Sequence, residues 1–99
     1  MRLSNRIKNI ILKSVKNSFG DVGCYLFGSR VDDTKIGGDI DIAIDVNYDS
    51  KEFRKNKILF LKSMMIFGYD DLKIDLVSYN TTDKLLYSEI QKNNIKLTS

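Results

Sequence analysis

The chain has 99 residues, 42% of them hydrophobic and 29% charged, which matches one modest folded core and excludes a disordered chain. Its apolar runs fall well short of the roughly 20 residues that cross a bilayer. The net charge of +3 is unevenly spread: the first 20 residues carry five Lys/Arg and no acid, whereas acids gather between Asp32 and Glu52 and again at Asp70, Asp71 and Asp75. Basic surface of this kind suits nucleotides, nucleic acid or an acidic protein, or is simply solvated. No arginine-rich run or basic–aromatic interleaving singles out nucleic acid, so direct nucleic-acid binding is not expected. The N-terminal MRLSNRIKNIILK interrupts its apolar residues with cations and lacks the apolar block of a secretion signal, which points to the cytoplasm.

Ser4 is placed to cap a helix in which Ile7, Ile10, Ile11 and Val15 recur at helical spacing, with Phe19 closing the stripe and Gly20 ending it. Val22 to Phe27 reads as a short, buried strand that ends at Gly28, and its Cys24 as a structural thiol. Ile40 to Val46 alternates apolar and polar residues, as a strand with one buried face does. A helix is expected from about Ser50 to Phe67, apolar at Phe53, Ile58, Leu61, Met64 and Met65 and ended by Gly68. Leu72 to Val77 reads as a third strand. A helix follows from about Thr82, capped there or at Thr81, through Leu85, Leu86, Glu89 and Ile90, and Ile95 to Leu97 is expected to be extended. With no linker or repeat, this order predicts one α/β (α+β) domain over residues 1–99. It would be a small mixed sheet with helices on its Ile40/Ile42/Ile44 face and an open aspartate face.

Three features carry chemistry. Asp39 and Asp41 alternate with isoleucines and so share one face of a strand, about 6.5–7 Å apart. Asp75, between Ile74 and Leu76, takes the equivalent face of its own strand and joins the pair if the two strands are neighbours. Three carboxylates this close repel unless a cation lies among them. The chain has no histidine, so metal and acid–base chemistry falls to carboxylates, which suit magnesium. The bland alternative is that these aspartates form the wet face of a half-exposed sheet, which is how Asp45 reads. Gly28 and Ser29 follow a strand directly, where backbone amides and a hydroxyl can meet phosphate oxygens, and Arg30 adds a fixed cation. A lone Gly-Ser is an ordinary turn; its combination with the three aspartates is not.

The composite of an apolar strand, Gly-Ser, nine residues and Asp-apolar-Asp resembles the signature of the DNA polymerase β-like nucleotidyltransferases. The short chain and the third acid in KIDLVS look like the minimal nucleotidyltransferases, the MNT proteins, and SEIQKNNIKL is similar to their closing helix and tail. One departure is Asn94, where relatives often carry glycine; it touches only a turn. The resemblance implies a nucleotidyltransferase fold and transfer of AMP from ATP with Mg²⁺. It also implies metal ligation by Asp39, Asp41 and Asp75, acceptor deprotonation assisted by Asp75, and phosphate binding at Gly28 and Ser29. It further implies an antitoxin that adenylylates a tyrosine of a HEPN-type RNase toxin within a hetero-oligomer. A silent antitoxin acting by contact, and a small-molecule nucleotidyltransferase, remain as alternatives.

Overall fold

The computed structural model describes residues 5–28, 40–69, 72–92 and 94–98. Helix α1 (Asn5–Ser18) precedes strands β1 (Gly23–Phe27) and β2 (Ile40–Asp45). Helix α2 (Ser50–Ile66), strand β3 (Ile74–Ser78), helix α3 (Lys84–Lys92) and strand β4 (Asn94–Lys96) complete the order. The sheet runs β3-β2-β1-β4. β1 is antiparallel to both β2 and β4, while β2 and β3 are parallel and joined across the sheet by α2. The expected α/β class with a small mixed sheet is what the chain forms. Ser4, which was expected to cap α1, lies outside the described residues.

Local chemistry sets the helix ends. The Asp49 carboxylate accepts from the Glu52 amide at 2.8 Å and caps α2. At the other end Gly68, with φ of 84°, lets the Gly68 and Tyr69 amides donate to the Met65 and Met64 carbonyls, both at 2.9 Å. These two crossed bonds satisfy carbonyls that the helix leaves open, in a geometry a side chain would strain. The cap of α3 is Asp83, whose carboxylate accepts from the Leu85 and Leu86 amides at 3.0 and 3.2 Å. Thr81, one of the two expected caps, instead accepts from the Asp83 amide at 3.1 Å and sets up the turn before it.

α1 and α2 cover one face of the sheet. Ile11 and Val15 from α1 and Phe60 and Met64 from α2 join Ile40, Ile42, Ile44 and Leu76 in one core, with Cys24 and Leu26 from β1. Burying each large apolar side chain contributes about 1.5–3 kcal/mol, so this layer holds the strands in register. Two expectations change. Ile58, Leu61 and Met65, expected on the apolar stripe of α2, are exposed, while Phe60 and Met64 face the core. Apolar residues nearly encircle the second half of this helix, so periodicity does not choose the buried side. The opposite sheet face is also less open than expected. Ala43 lies between Asp41 and Asp45 on it, and with Phe27 it buries Ile90 of α3, flanked by Tyr25, Val77, Tyr79 and Leu86. A small apolar residue at the middle of the strand is what admits α3 there. Among the described residues, no helix is long and apolar enough to cross a membrane.

Candidate active site

Asp41 and Asp75 are direct partners in the parallel pairing of β2 and β3. Neighbouring strands lie about 4.7–4.9 Å apart, so the two side chains leave one face side by side. Ile40, Ile42 and Leu76 point the other way, into the core, which fixes that orientation. Asp41 is half-buried and Asp75 exposed, so the pair opens to solvent at the β3 edge of the sheet.

Gly28 follows β1 directly, and the antiparallel pairing sets the preceding Phe27 opposite Asp41. Its φ is 78°, and a Cβ at this position would collide with the Asp41 carboxylate. The turn backbone therefore lies directly against that carboxylate, an approach only glycine permits. Three of the six expected site residues, Gly28, Asp41 and Asp75, come together in this way. Asp39, Ser29 and Arg30 lie outside the described residues. A paired carboxylate set without histidine offers only hard oxygen donors, and two like charges on adjacent strands favour a cation between them. The chemistry of these two carboxylates suits a hard divalent ion such as magnesium, which takes water and phosphate oxygens as its other ligands.

Asp45 has a structural task beyond solvation. Asn80 donates to it at 2.9 Å and to the Val46 carbonyl at 3.3 Å, pinning the turn after β3 to the end of β2. Tyr25 and Tyr79 pack nearby with ring centroids 4.6 Å apart and their planes tilted by 35°. Tyr25's hydroxyl is held above its usual pKa, first by desolvation and then by Asp45 and Tyr79. Cys24 is fully buried, and burial pushes its thiol up to about 12, in keeping with a structural thiol. A cavity of about 500 Å³ beside β3, not expected from the sequence, is lined by Arg54 and Lys57 of α2 together with Ser78 and Thr81. Its signal was available in the spacing of the two cations on one helix face.

Residues 6–99 match the family model described as "Polymerase beta, Nucleotidyltransferase". Among solved structures, a toxin–antitoxin crystal structure with AMP-PNP aligns with a TM-score of 0.69 at 24% identity, over 91% of this chain and 71% of that one. A mutant of the toxin–antitoxin MntA-HpeT aligns with a TM-score of 0.68 at 22% identity, with the same coverage of 91% and 71%. At these identities the likeness is one of fold. No match is found among curated proteins.

Proposed function

Because this chain belongs to the polymerase β nucleotidyltransferase family, we propose that it is an antitoxin that transfers AMP from ATP to a tyrosine hydroxyl of a HEPN-type RNase toxin. The observation that carries this reading is the in-register pairing of Asp41 with Asp75 directly beside the Gly28 turn. Two structures of similar fold are toxin–antitoxin structures, one of them with AMP-PNP, which supports a toxin partner and an adenine nucleotide.

In this reading Gly28, Ser29 and Arg30 hold the β- and γ-phosphates, and the Gly28 backbone brings them close to the carboxylates. Asp39, Asp41 and Asp75 would hold Mg²⁺, which supplies Lewis-acid stabilisation of charge on the phosphates. The acceptor oxygen attacks the α-phosphorus in line, forming an O–P bond as the bond to pyrophosphate breaks, and its proton passes to Asp75. Asp75 is exposed, so a hydroxyl on another protein can reach it. A tyrosine hydroxyl, with a pKa of about 10, is easier to deprotonate than a serine. The whole of residues 1–99 acts as one minimal transferase domain in the cytoplasm, where its partner supplies the acceptor surface.

The test is to incubate the chain with ATP, Mg²⁺ and the toxin encoded beside it, and then weigh the toxin. Gain of AMP on a toxin tyrosine is expected. No mass gain with wild type, together with undiminished silencing by an Asp39→Ala/Asp41→Ala variant, would replace this reading with an antitoxin that acts by contact alone.

A further inference from the structure

Among the described residues, nothing in the fold covers the outward side of α2. Ile58, Leu61 and Met65 are 48%, 43% and 61% exposed. With Arg54 and Lys57 they stand at positions 54, 57, 58, 61 and 65, the three- and four-residue spacing of a single helix face. That face runs for about 16 Å, or three turns. At its N-terminal end, Arg54 and Lys57 reach the cavity of about 500 Å³ beside β3, the end strand of the sheet. Among the described residues no carboxylate lines this cavity, and Arg54 and Lys57 give its wall a positive charge. An apolar ridge therefore leads into a cationic recess.

We propose that this face and its recess form one docking surface for an amphipathic helix of a partner protein that carries apolar residues and carboxylates. The apolar side chains would cover Ile58, Leu61 and Met65, and the carboxylates would enter the recess to pair with Arg54 and Lys57. Charge decides against a second copy of the chain as the occupant. α1 and α2 form one layer with four and five Lys/Arg respectively and a single acid, Glu52. Two such layers face to face would repel, and both recesses would lack an anion. The surface also leaves the candidate active site free. Ser78, which lines the recess, lies about 10 Å along β3 from Asp75. A partner seated at this edge strand can reach Asp75 around the edge of the sheet.

The inference rests on the partner protein of the proposed function but not on its transfer chemistry, so its test omits ATP. Binding of the full chain to the toxin encoded beside it is measured by calorimetry, and a carbodiimide is used to join lysines to neighbouring carboxylates. Leu61→Asp/Met65→Asp and Arg54→Glu/Lys57→Glu are each expected to weaken binding about 30-fold or more. Ile66→Asp, exposed on α2 but off this face, and Lys13→Glu on α1 are expected to bind as wild type does. A crosslink from Lys57 to a toxin Asp or Glu is expected, and Lys57→Arg should remove it while preserving binding. Far-ultraviolet dichroism and melting curves confirm that each variant is folded. Unchanged binding by both double variants would overturn the inference. So would a wild-type homodimer split by Leu61→Asp/Met65→Asp, or adsorption to phosphatidylserine-containing vesicles lost in the same variant. Docking intact here, with no AMP gained by the toxin when ATP and Mg²⁺ are added in the separate transfer assay, would instead count against the proposed chemistry.

Discussion

A methyl group at position 28 meets two obstacles at once, a left-handed backbone and the Asp41 carboxylate. Gly28→Ala is therefore expected to cost about 1–3 kcal/mol in chemical denaturation. It should reduce nucleotidyl transfer further still, because it displaces the carboxylate that the turn lies against. Cys24 gives a prediction of opposite character. Its thiol rises from 9.0 to about 12 in the folded protein, so folding favours its protonated form. This contribution to stability is fully present below pH 9 and is lost as pH rises towards 12. At pH 8 its reaction with a thiol reagent should track unfolding, and Cys24→Ser should flatten the alkaline limb of the stability profile. The facing of Asp41 and Asp75 was legible in the sequence because strand parity assigns every second residue to one face. Their adjacency was not, since it depends on which strands pair.

Elements are decided by their ends and their faces. Asp83 accepts two amides at the head of α3, and Asp83→Ala should cost about 1 kcal/mol, read from a thermal melt. The effect should reach Phe27 and Ala43, since α3 buries Ile90 against them. The sequence marked this helix but not its cap, because Thr81, Thr82 and Asp83 all have side chains able to cap. Only the backbone path selects among them. The face of α2 was misread for a related reason. Where Ile58, Phe60, Leu61, Met64 and Met65 surround a helix, spacing alone does not say which residues the sheet takes. The apolar residues the core leaves out are the ones available to a partner.

Across the whole molecule, one layer of side chains ties α1 and α2 to the Ile40/Ile42/Ile44 face of the sheet. Phe60 is fully buried within it, and Phe60→Ala should lower stability by about 3–5 kcal/mol. Domains are commonly stable by only about 5–15 kcal/mol, so the urea midpoint should drop steeply and the variant should be poorly populated at elevated temperature. The α/β class was readable from helices alternating with short apolar strands. The strand order β3-β2-β1-β4 was not, because hydrophobic pattern specifies a buried face and not a neighbour. That order is what assembles the candidate site, for it sets Asp41 between Phe27 on one side and Asp75 on the other.

The most direct test of nucleotidyl transfer follows the label rather than the mass. The chain, Mg²⁺ and the proposed toxin partner are incubated in parallel with ATP labelled at the α- or at the γ-phosphate. Label from the α-position should appear on the toxin, label from the γ-position should leave as pyrophosphate, and Asp41→Asn and Asp75→Asn should each abolish the first without unfolding the chain. Toxin labelled from the γ-position, or full α-labelling by both aspartate variants, would contradict the account.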